Sequence, residues 1–233
     1  AMITNASLIK TQPKTFDAVS VEALALKKAG KATVPLALPQ GANGDAYHMY
    51  PLFSGLGGYV FATNPSGSVN PKKVGLDNPT FRKNQEIING WNKTGLINSK
   101  VDYGIAKDAF VAGKAPFWIT GPWELDSLKA LKFKYRITAV PAIVDGITPV
   151  PFLGAQGFMV TKFAATHGVQ TGANSLVAEY MATAPAQAKL AAANGRTPAN
   201  LVAAKAVSDP VLKAFGSAGV GGGLGGGATR PRA

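Results

Sequence analysis

The sequence contains no cysteine, and this absence excludes several kinds of chemistry at once. Without thiols, its 233 residues cannot form disulfide bonds, thiolate metal sites or cysteine nucleophiles. Histidine is scarce too: the only two are His48 and His167, which stand far apart in the chain. With no His-x-x-x-His spacing, we expect no metal site and no cofactor.

Acidic residues are few. There are 12 Asp and Glu residues against 24 Lys and Arg, which gives a formal net charge of +12. A positive surface can attract nucleic acid or anionic lipid. The lysines are scattered along the chain, however, and no arginine-rich arm or aromatic RNA-binding motif accompanies them. We therefore expect no nucleic-acid partner.

Motifs for nucleotide binding and hydrolysis are also missing. Gly221, Gly223 and Gly226 match G-x-G-x-x-G in spacing, but no strand, helix and downstream acid frame them as a dinucleotide loop requires. There is no P-loop lysine and no G-x-S-x-G elbow to present a serine nucleophile. No apolar run approaches the ~20 residues of a membrane span. The opening "AMITNASLIK" lacks a signal-peptide pattern, so we expect any export signal to be missing from this sequence.

Hydrophobic residues make up 46% of the chain, enough for a substantial core. Turn, cap and periodicity signals predict alternating helices and strands, and hence an α/β fold with a short central sheet flanked by helices. The predicted helices are Thr15 (cap) to Lys28, Gly44 to Leu56, Asn78 (cap) to Gly95, Asp102 to Ala112, one ending near Leu131, and several beyond Asn174. The predicted extended segments are "KATVPLALP", Tyr59 to Ala62, "APFWIT", "KYRITAVP" and "PFLGAQGFMVTKFA".

One candidate binding cluster is "GDAYHMYPL", at the start of a predicted helix. It contains Asp45, Tyr47, His48 and Tyr50. A carboxylate can accept hydrogen bonds from sugar hydroxyls, and a flat ring can cover the apolar face of a pyranose. The alternative is that Asp45 is only a helix cap and the aromatic residues belong to the core.

A second candidate is "ITGPWELD", where a Gly-Pro turn after a strand presents Trp123. The indole would stand at a helix start, where free backbone N–H groups can meet ligand oxygens. The alternative is a core tryptophan that fixes the helix on the sheet. Glu124 and Asp126 lie beside it, but a spacing of two directs them apart, which disfavours the paired carboxylates of a glycosidase.

Three further segments are distinctive: "GPW" after a strand, "DYGIAKDAFVAGKA" and "PLFSGLGGY". With their neighbours, from about Ile3 to about Phe215, they resemble the maltose-binding protein branch of the extracellular solute-binding proteins. The resemblance implies a periplasmic-binding-protein-like (type II) carboxy-terminal lobe, located in the periplasm or outside the cell. It also implies a sugar receptor that delivers its ligand to the membrane permease of an ABC transporter.

The resemblance also suggests roles for individual residues. It places Asp45 at the family's sugar-gripping acid, Tyr47 at a matching tyrosine and Trp123 at a stacking tryptophan. His48 and Tyr50 replace other aromatic residues of that segment. Tyr103, in "DYGIAKDAF", matches a residue near the far end of the sugar chain.

Departures from the family pattern lead to a three-part division. We expect residues 1–162 to form the carboxy-terminal lobe, 163–218 a helical segment partly belonging to a missing amino-terminal lobe, and 219–233 a disordered Gly-rich tail. The end of the carboxy-terminal lobe is expected to be missing as well. Without the other lobe, apolar helix faces would favour rearrangement, domain swapping or a homo-oligomer; the residues concerned are Leu176, Val177, Tyr180 and Met181.

The predicted function is therefore binding of a malto-oligosaccharide or related α-glucoside, without covalent chemistry. The chain would hold one wall of the cleft of a transporter's substrate-binding component. The alternative is a truncated or engineered lobe fragment with little sugar binding, notable for its folding and self-association.

Overall fold

The computed structural model of the protein describes residues 1–152 and 154–221, without the side chain of Val220. The described chain divides into two compact units. The helical unit is Gly154–Gly216, and the large unit is the rest of the described chain. No helix in the described ranges is both long and apolar enough to cross a membrane.

The large unit contains a sheet of four strands and a separate hairpin of two. The strands are β1 Met2–Asn5, β2 Leu36–Ala37, β3 Tyr59–Thr63, β4 Val69–Gly75, β5 Phe117–Ile119 and β6 Tyr135–Thr138. In the four-stranded sheet the order is β2-β5-β1-β6; β1 is antiparallel to both its neighbours, and β2 is parallel to β5. β3 and β4 form the antiparallel hairpin.

Helices make up most of the remaining regular structure. Those of the large unit are α1 Phe16–Lys28, α2 Ala46–Gly55, α3 Pro79–Asn84, α4 Glu86–Thr94, α5 Tyr103–Val111 and α6 Leu125–Lys129. Those of the helical unit are α7 Phe163–Thr166, α8 Gln170–Asn174, a π-helix Ser175–Met181, α9 Ala184–Asn194 and α10 Leu201–Ala206. A last helix, α11 Pro210–Gly221, is divided between the two units. The predicted mixed α/β class is confirmed.

Helix caps were well signalled by the sequence. Thr15 Oγ1 accepts a hydrogen bond from Ala18 N, as predicted for the start of α1. Asn78 caps α3, with a proline at its first helical position. Gly95 ends α4 in the left-handed region, at a φ of 71°, which favours glycine.

Other predictions were wrong or incomplete. The helix predicted from Asn78 to Gly95 is two helices, α3 and α4, separated at Gln85. No strand occurs over the described residues 154–162, where "PFLGAQGFMVTKFA" predicted an extended run. Strands β1 and β4 were not predicted. α11 extends over residues 219–221 of the predicted tail, and residues 222–233 lie outside the described residues.

The core of the large unit lies on both faces of the four-stranded sheet. Phe117 and Ile119 of β5 face one cluster, in which the ring of Phe16 packs 4.9 Å from that of Trp91. Trp118, between Phe117 and Ile119 in β5, points to the opposite face, where the centre of its ring lies 5.2 Å from that of Phe110 in α5. This alternation follows from the pleat of the strand. β5 is therefore buried on both sides up to its last residue, Ile119, where the chain leaves the sheet.

Candidate functional site

Trp123 lies four residues after the end of β5. The chain continues through Thr120 and Gly121 into a single 3₁₀ turn, Pro122–Glu124, and then into α6. Trp123 is 44% exposed on this turn. Gly121 has an extended backbone, with φ at −134°, that any residue can adopt. A Cβ there would nevertheless overlap the six-membered ring of Trp123, so the glycine provides space for the indole.

The first turn of α2 brings a second group of side chains to Trp123. Asp45 caps this helix by accepting a hydrogen bond from His48 N at 3.0 Å. Its other oxygen lies 2.7 Å from His48 Nδ1, which carries the proton because an ionised carboxylate can only accept. The imidazole is thereby held edge-on to the indole, with the ring centres 5.7 Å apart. Tyr47 is 46% exposed, and the centre of its ring lies 5.8 Å from the centre of the same indole.

The third contribution comes from Tyr103, the first residue of α5. Tyr103 is 36% exposed, and the centre of its ring lies 5.5 Å from that of His48. Its hydroxyl oxygen accepts a hydrogen bond from Trp123 Nε1 at 2.9 Å and donates its own proton to Glu124 Oε1. Glu124 is only 3% exposed, and its Oε2 lies 3.0 Å from Lys107 Nζ, one turn further along α5.

These contacts set the protonation states of Tyr103 and Glu124. Burial, then the hydrogen bond and the charge of Glu124, raise the pKa of Tyr103 to about 12. For Glu124, burial acts to raise the pKa, but hydrogen bonds with Ser127, Tyr103 and Lys107 outweigh it and lower the pKa below its ordinary value. Near neutral pH the phenol therefore keeps its proton and the carboxylate is ionised.

Tyr50 occupies a different layer from the other aromatic residues. It is buried on α2, where its ring stacks on Phe152 with centres 3.8 Å apart and planes 15° apart. Phe152 also stacks at 5.5 Å on Tyr47. Tyr50 therefore joins the group through Phe152, as a support beneath Tyr47.

The structure thus brings the predicted site residues into one neighbourhood, although they come from separate elements. We call the three exposed rings the aromatic surface: Tyr47, Tyr103 and Trp123. Asp45 and His48 lie beside it, and Tyr50 lies beneath. Sequence reasoning noted Gly121 only as part of a turn and Glu124 only as a disfavoured catalytic acid, and it missed Lys107 and Phe152. Only Lys107 had a signal, because it lies four residues after Tyr103 on the same helix face.

Chemically, this arrangement offers ring faces with a few polar atoms at their edges. The described part of the chain contains no group of three or more His, Cys, Asp or Glu side chains that could hold a metal ion. Exposed rings next to fixed carboxylates suit a ligand that has both apolar faces and hydroxyl groups.

Comparison with known proteins identifies the family. The family model described as bacterial extracellular solute-binding protein matches residues 1–214. The chain belongs to this family. The family membership predicted from the sequence is confirmed.

Individual relatives of this solute-binding protein are named for the sugars they bind. It is 32% identical over 169 residues to the maltodextrin-binding protein MdxE of Bacillus subtilis (strain 168), covering 68% of this chain and 39% of the relative. It is 29% identical over 121 residues to the galactooligosaccharide-binding protein of the same organism, covering 50% and 29%. It is 26% identical over 175 residues to the maltotriose-binding protein of Pyrococcus abyssi (strain GE5 / Orsay), covering 72% and 35%. The chain spans less than two-fifths of the length of these relatives.

Proposed function

We propose that this solute-binding protein binds a malto-oligosaccharide or a related α-glucoside on the aromatic surface. The observation that carries the proposal is the convergence of three partly exposed rings from α2, α5 and the turn after β5. Large aromatic side chains are mostly buried, so an exposed group held in place by hydrogen bonds indicates a ligand surface. The names of the relatives support a sugar as that ligand.

In this proposal the indole of Trp123 stacks on the apolar C–H face of a glucosyl unit, and Tyr47 extends the platform. Asp45 supplies the polar edge. Each of its oxygens already accepts one hydrogen bond from His48, and each retains a lone pair for a sugar hydroxyl. The bound sugar is held by stacking and hydrogen bonds only.

Covalent chemistry does not fit these residues. A glycosidase needs a general acid whose pKa is raised, together with a second carboxylate across the sugar. The pKa of Glu124 is lowered, and Lys107 and Tyr103 engage its two oxygens. Asp126 is exposed and belongs to α6. We therefore propose a binding protein and not an enzyme.

For the whole protein, we propose the role of substrate-binding component of an ABC transporter, exported to the periplasm or the cell exterior. The large unit would belong to a type II lobe and supply one wall of the cleft, and the membrane permease would be the partner. Closing a second wall over the sugar would exclude water and add contacts. On the wall described here, we expect weak binding.

Isothermal titration with maltose, maltotriose, trehalose, longer maltodextrins and a galacto-oligosaccharide tests the proposal. We expect millimolar binding of the glucosyl oligomers and its loss in Trp123→Ala. Phe61→Ala is the matched control, since Phe61 is also exposed but lies on the β3–β4 hairpin. A folded wild-type chain that binds none of these sugars at saturating concentration would refute the proposal.

Self-association of the helical unit is a second proposal, supported by Leu176 and Tyr180, which are exposed on the π-helix. Light scattering over a range of protein concentrations tests it. A mass that stays monomeric throughout would contradict it.

A further inference from the structure

Glu124 and Trp123 are neighbours in sequence with opposite environments. Trp123 is 44% exposed, whereas Glu124 directly after it is 3% exposed. A buried carboxylate loses its hydration and is tolerated only with charged or hydrogen-bonding partners. Lys107 Nζ at 3.0 Å and the Tyr103 hydroxyl provide them.

Stability alone explains this arrangement poorly. Lys107 is 38% exposed, so water screens its attraction to Glu124, and that attraction offsets little of the hydration that the buried carboxylate loses; a well-packed apolar residue would serve as well or better. The pair is instead connected to the exposed aromatic surface. Lys107 contacts Glu124, Glu124 accepts from Tyr103, and Tyr103 accepts from Trp123.

The direction of these hydrogen bonds matters. An indole N–H can only donate, so it needs an oxygen whose own proton points elsewhere. The ionised Glu124 draws the phenolic proton of Tyr103 toward itself, which leaves that oxygen as the acceptor for Trp123 Nε1. On the other side, the indole lies against Gly121, where a Cβ would overlap it.

We propose that Glu124 and Lys107 are positioning residues that fix the Trp123 ring through the Tyr103 hydroxyl. Because that hydroxyl donates to Glu124 and accepts from Trp123, Tyr103 offers a ligand its ring face and not a hydrogen-bond donor. The consequence for sugar affinity rests on the proposed function. The fixing of the indole does not.

Indole N–H signals in a ¹⁵N-resolved NMR spectrum test the fixing directly, without ligand. The chain has three tryptophans, and Trp123→Phe assigns the relevant signal. We expect Tyr103→Phe and Glu124→Leu to shift the Trp123 signal more than those of Trp91 and Trp118. Glu124→Gln, which retains an acceptor oxygen, should recover part of the shift, and Lys107→Met should give a smaller one.

The control is Asp77→Asn, which removes an exposed carboxylate from its ion pair with Arg82 and should leave the Trp123 signal in place. In wild type, lowering the pH until Glu124 is protonated should move the same signal, and Glu124→Gln should abolish that movement. If Glu124→Leu fails to fold, Tyr103→Phe at its partly exposed position still gives the result. An unchanged Trp123 signal in folded Tyr103→Phe would overturn the proposal.

Maltotriose titration separates this proposal from the sugar-binding one. Ordering a side chain on binding costs about 0.5–1.5 kcal/mol, so loss of the fixed ring should weaken affinity about twofold to tenfold in Tyr103→Phe. A shifted indole signal with no binding by wild type would refute sugar binding and retain the positioning role. If wild type binds maltotriose and Tyr103→Phe changes neither the Trp123 indole signal nor the affinity, the positioning role is refuted and sugar binding is retained.

Discussion

Substituting Gly121 by alanine should displace the Trp123 ring without disturbing the backbone. Gly121 is buried and extended, so alanine meets no conformational penalty at this position. The added Cβ would instead overlap three atoms of the indole, Cε3, Cζ3 and Cη2. Packing around a buried Cα leaves the exposed ring as the part that can move, so we expect it to rotate away.

The cost follows from the contacts that the ring makes. Moving it breaks the hydrogen bond to Tyr103, worth about 0.5–1.5 kcal/mol. It also weakens the ring contacts with Tyr47 and His48, each worth about 0.5–1.5 kcal/mol. Replacing glycine at a compatible backbone position returns about 0.4–1 kcal/mol by restricting the unfolded chain. We expect a net destabilisation of about 1–3 kcal/mol for Gly121→Ala.

Urea unfolding followed by circular dichroism measures this loss, and the NMR signal of the Trp123 indole reports the ring. Affinity for maltotriose should fall at least about tenfold, since a displaced tryptophan anchor usually costs 1.4 kcal/mol or more. Gly90→Ala is the matched control: Gly90 is exposed in α4 with open space around it, so alanine there should be neutral or stabilising. Wild-type stability together with an unshifted indole signal in Gly121→Ala would refute the reasoning.

Three further predictions concern stability. Ser54→Ala removes the acceptor of Val150 N, which lies 2.8 Å from Ser54 Oγ, and should lower the free energy of unfolding by about 1–3 kcal/mol; equal urea midpoints would contradict this. The folded-state pKa of Glu124 lies below its ordinary 4.5, so its stabilising contribution should be present above pH 4.5 and be lost as the pH falls through the lowered pKa. The pKa of Tyr103 rises from 10.0 to about 12, so its contribution should be present below pH 10 and be lost as the pH approaches 12. Denaturation curves across both ranges check these signs, and Glu124→Gln and Tyr103→Phe should flatten the acid and alkaline limbs respectively.

The sequence predicted the helix starts because a capping side chain bonds to backbone groups only a few residues away. Thr15, Asn78 and Asp102 each bond a backbone N–H within three residues, so a short window of sequence contains the whole interaction. The break at Gln85 has no such signal, because the apolar periodicity continues across it. It became visible only in the structure.

Strands β1 and β4 escaped prediction for different reasons. β1 has only four residues, and both its partners come more than a hundred residues later. β4 reads "VNPKKVG", with a proline and two lysines in place of alternating apolar residues. Its pairing with β3 in an exposed hairpin requires little burial, so hydrophobicity does not mark it.

At the candidate site, residue types were predictable and their connections were not. Aromatic and acidic residues near helix starts suggested a ligand surface, and the structure brings them together. The role of Glu124 depends on burial beneath its neighbour, which a spacing of two residues from Asp126 cannot reveal. Phe152 supports Tyr47 from about a hundred positions away, so no local pattern connects them.

The central position of β1 has a consequence for biosynthesis. Met2 and Ile3 are fully buried in the finished sheet, yet they pair with Ile119, Trp118 and residues of β6. At about 5–20 residues per second, a ribosome needs about 6–23 s between making β1 and making its first partner strand. During that interval the two strands that flank β1 in this sheet have not been made, and such long-range pairing folds slowly. The bond from Thr120 N to Ala1 O extends this pairing to the residue before Gly121, so the support of the aromatic surface is completed late in folding.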